Sequence, residues 1–106
     1  MNISIITFTE NGTKLAEKIR QAFVSAKEAK NLGLSLSDWT RQQFAEKIAI
    51  VVIGACGIAV RMIAPFVSDK LSDSPVVVAD EAGTFVIPLL SGHMGGANEL
   101  AEQIAR

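Results

Sequence analysis

The only histidine of the chain, His93, lies among polar residues and glycines in LLSGHMGGANEL, residues 89–100. Because an unperturbed imidazole titrates near neutral pH, His93 could relay a proton or activate a water molecule. The polar groups of Ser91 and Asn98 could bind a substrate oxygen. Three glycines would let backbone N–H groups approach a ligand closely: Gly92, Gly95 and Gly96. The alternative interpretation is an ordinary helix start with a structural histidine.

A second glycine-containing segment is GACGIAVR, residues 54–61. It matches neither G-x-G-x-x-G nor G-x-x-x-x-G-K-[ST], so it predicts no nucleotide site. Gly54 and Gly57 could bring N–H groups at a helix start close to a carboxylate or phosphate. One helical turn after Gly57, Arg61 could bind a carboxylate through two N–H groups. A structural turn and a surface ion pair are the alternatives.

Two other reactive side chains are less informative. Glu81 follows Asp80, and the pair could serve acid–base chemistry, although a charged hairpin tip is the more ordinary explanation. Cys56 has no second cysteine or histidine nearby, so the sequence supports neither a metal site nor a Cys/His nucleophile. We therefore expect Cys56 to be a small buried or loop residue, and the sequence predicts no metal site.

Composition excludes several classes of protein. The 106 residues are 49% hydrophobic and 20% charged with a net charge of −1, which excludes disorder and does not favour nucleic-acid binding. No apolar run reaches the roughly 18 residues that a membrane span needs, and the start lacks signal-peptide features. One cysteine cannot form an internal disulfide. These features predict a single cytoplasmic domain over residues 1–106.

Apolar periodicity predicts strands alternating with helices. We expect buried strands at 3–9 and 48–54, two more within 75–90 joined by DEAG, and helices beginning near Gly12, Ser35 or Ser37, Gly57 and Ala97. A loop is expected from residue 26 to Gly33, so one strand of a regular alternation is missing. Either that unit is absent or residues are missing near 25–34. The predicted fold is α/β, a three-layer Rossmann-like open sheet, mostly parallel, with allowance for a hairpin at 76–90.

The candidate residues form one site only if strand directions allow it. In an open α/β sheet, ligands bind beyond the carboxyl ends of the strands. If strands 3–9 and 48–54 are parallel, the turns TENG (9–12) and GACG (54–57) share that edge. Residues 91–99 join them only if the strand at 85–90 has the same direction. The sequence-based hypothesis is that the two glycine-containing turns of the candidate site, GACG (54–57) and the one within residues 91–99, meet at one edge.

Residues 50–105 resemble a known family. The motifs are G-[AT]-x-G-I-x-V-R followed by I-A-P, then V-V-V-x-D-E-x-G, then L-L-S-G-H-x-G-G-A-N-E. Together they are similar to the N-terminal region of the CbiG family, the cobalt-precorrin 5A hydrolases of anaerobic cobalamin biosynthesis, and MNISIITFTENG matches more loosely. Family members usually have a strand and a longer loop near residues 25–34. They also continue into a linking region and a C-terminal domain, so this sequence is expected to represent the N-terminal domain.

The resemblance implies a hydrolase that opens the ring A δ-lactone of cobalt-precorrin 5A, with loss of the C20 fragment as acetaldehyde, giving cobalt-precorrin 5B. Cobalt arrives with the corrinoid substrate, so no cofactor is implied. His93 is the expected base for water and Glu81 the second choice. Expected substrate-binding residues are Gly54, Gly57, Arg61, Ser91, Gly92, Gly95, Gly96 and Asn98. The alternative is a non-catalytic domain that orients the macrocycle for another domain or a neighbouring pathway enzyme.

Overall fold

The chain folds around one five-stranded open sheet with the strand order β2-β1-β3-β4-β5. The computed structural model describes residues 2–29, 35–69, 72–91 and 96–105. The strands are β1 (Ile3–Thr7), β2 (Ala26–Glu28), β3 (Ala49–Ile53), β4 (Val76–Ala79) and β5 (Val86–Leu90). The helices are α1 (Glu10–Ala22), α2 (Leu36–Ala45), α3 (Cys56–Ile63) and α4 (Ala97–Ala105). The first four strands are parallel and β5 is antiparallel to β4, which confirms the predicted fold class.

The expectation of a loop over residues 26–33 is wrong at its beginning, because β2 occupies Ala26–Glu28. This strand pairs in parallel with β1, aligning Ala26 with Ile3 and Glu28 with Ile5. It has only three residues and is an edge strand of the sheet, and Ala26 is its one buried residue. No apolar run in the sequence therefore reveals it. The α/β alternation is therefore complete, and no missing unit is needed to explain it.

Two helices cover each face of the sheet. Helices α1 and α4 pack with Ile5, Val51 and Val77 in one core, while α2 and α3 pack with Ile50 and Val52 in the other. Every residue of β3 is buried, as expected for a central parallel strand covered on both faces. Ser35, one of the two predicted starts, caps α2, whereas α1 begins at Glu10, two residues before the expected Gly12, with Thr9 as its N-cap.

The strand order creates a crevice at one edge of the sheet. From β1 the chain goes to β2 on one side, whereas β3 pairs with the other side of β1. The connections that follow β1 and β3 therefore diverge at the carboxyl ends of these two strands. Ligands of open α/β sheets bind at such switch points. We call the end of the sheet at which the four parallel strands finish the carboxyl edge. The opposite end, at which they begin, is the amino edge.

The hairpin expected over residues 76–90 is confirmed, and it reverses the chain. A tight turn follows β4, in which Asp80 accepts a hydrogen bond from the N–H of Gly83, whose φ is +74°. Leu90 at the end of β5 lies beside Val76 at the start of β4. Ser91 consequently begins its segment at the amino edge, whereas Gly54 lies at the carboxyl edge. The hypothesis that GACG (54–57) and the segment 91–99 share one edge is therefore wrong.

Candidate functional site

An exposed aromatic ring covers the crevice between β1 and β3. Phe8 directly follows β1 and is 45% exposed. A Cβ atom added to Gly54, which directly follows β3, would lie 3.3 Å from Cδ2 of Phe8. The absence of a side chain at Gly54 therefore allows the ring to lie over the backbone at the end of β3. The result is a flat apolar surface at the carboxyl edge.

Helix α3 begins beside this surface with an open backbone. Its N-cap residue, Ala55, provides no side-chain hydrogen bond, and the first turn contains no acidic residue. A Cβ atom added to Gly57 would have no neighbour within 4 Å, so the space over this first turn is free. Cys56 is exposed at the first helical position, which corrects the expectation of a buried or loop residue. The positive end of the α3 dipole thus faces an accessible surface.

Arg61 lies on the side of α3 that faces the start of α2. Its side chain is exposed and forms no ion pair with any residue that the structure describes. The expected alternative for this residue, a surface ion pair, is thus not found in the described ranges. The guanidinium lies beside an apolar cavity between α2 and α3 and can bind a carboxylate there.

Glu81 also lies at the carboxyl edge, after β4. Its carboxylate accepts a hydrogen bond from the hydroxyl of Thr9, which in turn accepts one from the backbone N–H of Gly12 at 2.9 Å. The turn after β4 is thereby tied to the start of α1. A surface depression of about 350 Å³ adjoins Glu81 and is also lined by Lys14 and Lys18. Glu81 is exposed and available as a proton acceptor.

The described part of the SGHMGGANE motif lies at the amino edge. Ser91 is buried at a φ of +57°, and its hydroxyl donates to the backbone carbonyl of Asp73 at 3.1 Å. Gly96 has a φ of +90° and borders a cavity of about 510 Å³, together with Ile3 at the start of β1. Asn98 is half-buried in the first turn of α4. These residues are near one another and far along the strands from Gly54.

Three predicted site residues, Gly92, His93 and Gly95, lie outside the described residues. The role assigned to His93 therefore stays a prediction. Across residues 2–29, 35–69, 72–91 and 96–105, no group of three or more His, Cys, Asp or Glu side chains could hold a metal ion. The described helices also include none with the length and apolar character that crossing a membrane requires.

Comparison with known proteins identifies the family. The family model described as "Cobalamin synthesis G N-terminal" matches residues 38–106, about two thirds of the chain. The chain belongs to the CbiG N-terminal family. Its match includes Gly54, Gly57, Arg61 and Glu81 at the carboxyl edge as well as the segment that contains His93.

Curated relatives of this CbiG N-terminal domain carry the name cobalt-precorrin-5A hydrolase. The protein of Salmonella typhimurium is 58% identical over 65 residues, which are 61% of this chain and 18% of the relative. That of Priestia megaterium is 52% identical over 56 residues, 53% of this chain and 15% of the relative. The chain thus spans less than a fifth of the length of these relatives.

A solved structure supports the fold over nearly the whole chain. A protein described as a cobalamin biosynthesis protein G homolog, from Sulfolobus solfataricus, aligns with a TM-score of 0.75 and 25% identity. The alignment covers 98% of this chain and 33% of that protein. It therefore includes β1, α1 and β2, which the family model leaves out. The CbiG likeness extends to both strands that bound the crevice.

Sequence reasoning missed two residues of the carboxyl edge. Phe8 belongs to the apolar run ISIITFT, so its hydrophobicity suggested a buried strand residue rather than an exposed ring. Thr9 was recognised only as part of the turn TENG, yet it caps α1 and donates to Glu81. A signal for Thr9 was present, because a threonine that immediately precedes a helical pattern is a typical N-cap.

Proposed function

We propose that this domain takes part in cobalamin biosynthesis as the N-terminal domain of a cobalt-precorrin 5A hydrolase in the cytoplasm. The observation that carries the proposal is family membership, together with two relatives of that name at 58% and 52% identity. The reaction opens the ring A δ-lactone with water and releases the C20 fragment as acetaldehyde. Cobalt belongs to the corrinoid substrate, and we assign the domain no cofactor of its own.

The carboxyl edge suits the binding part of this reaction. A corrinoid intermediate has an extended ring and several peripheral carboxylates. The ring can lie on the exposed face of Phe8, and its carboxylates can bind Arg61 and the positive end of the α3 dipole near Gly57. Gly54 supports the same surface because it accommodates Phe8. This arrangement combines apolar area with a few polar anchors, as small-molecule sites do.

Lactone opening also requires an activated water molecule and donors for the developing oxyanion. We assign Glu81 at the carboxyl edge as a candidate base, and Thr9 donates a hydrogen bond to its carboxylate. His93 stays our first candidate for activating water, with Asn98 and backbone N–H groups around Gly95 and Gly96 as oxyanion donors. Ser91 and Gly92 would shape that segment. The segment that contains His93 begins at the amino edge, opposite the proposed macrocycle site. Its chemistry therefore requires a further contact besides those that a macrocycle bound at Arg61 makes.

One observation favours a second function, that of a corrinoid-binding domain without catalysis of its own. The two groups of candidate residues lie at opposite edges, and the matched residues make up less than a fifth of each relative. A C-terminal domain or a neighbouring pathway enzyme would then supply the chemistry, while this domain orients the macrocycle.

Incubation of the protein with cobalt-precorrin 5A, followed by measurement of acetaldehyde, tests the proposed function. We expect release of acetaldehyde that is lost in His93→Ala and reduced in Glu81→Gln, with Glu46→Gln as an exposed control at the far end of α2. An unchanged yield from His93→Ala would reject His93 as the base. Binding of the substrate without any acetaldehyde would instead support the non-catalytic alternative.

A further inference from the structure

A cavity of about 260 Å³ lies between the beginning of α2 and one side of α3. We call it the α2–α3 groove. Its walls are apolar except at two side chains, Ser37 and Arg61; the remaining lining residues are Leu36, Ile58, Met62 and Pro65. The same side of α3 is buried at Met62 and 39% exposed at Ile58. The groove therefore deepens from Ile58 towards Met62, in the core that α2 and α3 form with the sheet.

The charge at this groove has no counterion within the described residues. Two other arginines, Arg20 and Arg41, each bind a carboxylate three positions earlier in their helix, at 2.6 Å. Arg61 cannot do so, because the sequence of α3, CGIAVRMI, contains no acidic residue. Its guanidinium is exposed beside apolar walls, where a charge-assisted hydrogen bond is stronger than in open solvent.

From this combination we infer that the α2–α3 groove binds one carboxylate-bearing side arm of the tetrapyrrole substrate. The apolar walls contact the alkyl stem of the arm, and Arg61 binds its carboxylate. The volume is below the usual range for a small-molecule site and suits an arm rather than a whole macrocycle. This inference rests on the proposed function. It adds to that function which part of the substrate the groove recognises.

The inference predicts selectivity for carboxylate over amide. Cobyrinic acid, a corrinoid whose side arms end in carboxylates, should bind, whereas cobinamide, in which those groups are amides, should bind at least tenfold more weakly. The single tryptophan, Trp39, provides the readout, because it is buried in α2 three residues after Leu36. A bound corrinoid absorbs in the range of tryptophan emission and quenches it.

Two variants test the groove itself. Arg61→Gln should raise the Kd for cobyrinic acid roughly tenfold, the loss expected for one charge-assisted contact. Ser37→Glu places a carboxylate in the first turn of α2, where the helix dipole favours it, yet it should weaken cobyrinic acid binding by repulsion. Arg20→Gln is the matched control, because Arg20 is exposed on α1 at the other face of the sheet.

The outcomes separate this inference from the proposed function. Binding of cobyrinic acid that depends on Arg61 supports the groove even if the protein releases no acetaldehyde from cobalt-precorrin 5A. Release of acetaldehyde with the same KM in Arg61→Gln as in the unmodified protein would overturn the groove and leave the function standing. Equal affinity of cobyrinic acid for the unmodified protein and Arg61→Gln, or no binding at all, would also overturn it.

Discussion

Replacing Gly57 with alanine should make the protein more stable and its ligand bind less well. Gly57 is the second residue of α3, its φ is outside the left-handed region, and an added Cβ atom meets nothing within 4 Å. Alanine therefore gains helix propensity without a steric cost. Since glycine costs about 1 kcal/mol relative to alanine inside a helix, we expect a gain of roughly 0.5–1 kcal/mol. In a domain of this size, 1 kcal/mol shifts Tm by roughly 4–8 °C.

Thermal and urea unfolding, followed by circular dichroism and by the fluorescence of Trp39, measure this gain. Two other glycines provide controls of opposite sign. Gly83→Ala should lower the free energy of unfolding by about 1–2 kcal/mol, because a φ of +74° is unfavourable for alanine. Gly12→Ala should also be destabilising, since its Cβ would lie 3.2 Å from Oγ1 of Thr9 and 3.3 Å from Cγ2 of Ile53.

The same variant tests whether glycine is needed for ligand binding. A methyl group at Gly57 would occupy the free space over the first turn of α3, where we place the substrate carboxylates. A stable Gly57→Ala protein should therefore bind cobyrinic acid several-fold more weakly. Lower stability of the variant would refute the finding of open space. Higher stability with unchanged affinity would refute the placement of the ligand over this turn.

Three further variants probe the carboxyl edge and α2. Phe8→Ala should weaken binding of cobyrinic acid while lowering the free energy of unfolding by no more than about 1.5 kcal/mol, because the ring is 45% exposed; unchanged affinity would argue against an aromatic platform. Thr9→Ala should cost about 1 kcal/mol in urea unfolding through loss of the N-cap of α1, and no change would show that the cap is not stabilising. Hydrogen bonds from Arg41, the largest cause, and at Ser35 lower the pKa of Asp38 below its ordinary 3.8. Asp38 therefore stabilises the fold above that value, and this contribution is lost as the pH falls through its lowered pKa. In urea titrations, an Asp38→Asn protein should lose less stability between pH 5 and 2 than the unmodified protein. Parallel pH profiles of the two proteins would contradict the reasoning.

Most of the fold followed from local patterns in the sequence. The run IAIVVIG predicts a strand buried on both faces, and β3 is buried throughout. Ser35 three residues before Asp38 predicts a helix start, and its hydroxyl accepts from the N–H of Asp38 at 3.1 Å. Such features depend on a few neighbouring residues. Local chemistry decides them, so they could be predicted without knowledge of tertiary contacts.

Features that depend on distant neighbours could not be predicted in this way. Strand β2 consists of Ala26–Glu28, and it pairs with a strand more than twenty residues earlier in the chain. Phe8 lies beyond the end of β1, and its ring packs beside Gly54, which follows another strand. Neither fact leaves a local signal. Hydrophobicity alone assigned Phe8 to a core that it does not enter.

The common edge expected for the two glycine-containing turns was inconsistent with another expectation from the same sequence. A tight turn at Asp80–Gly83 requires a hairpin, and a hairpin places the end of β5 beside the start of β4. Once that turn is accepted, Ser91 must lie at the edge opposite Gly54. A complete hydrolase site that uses both turns therefore needs a contact between edges that this sheet keeps apart. Under the proposed function, we expect the remaining polypeptide of the longer relatives, or a second protein, to supply that contact.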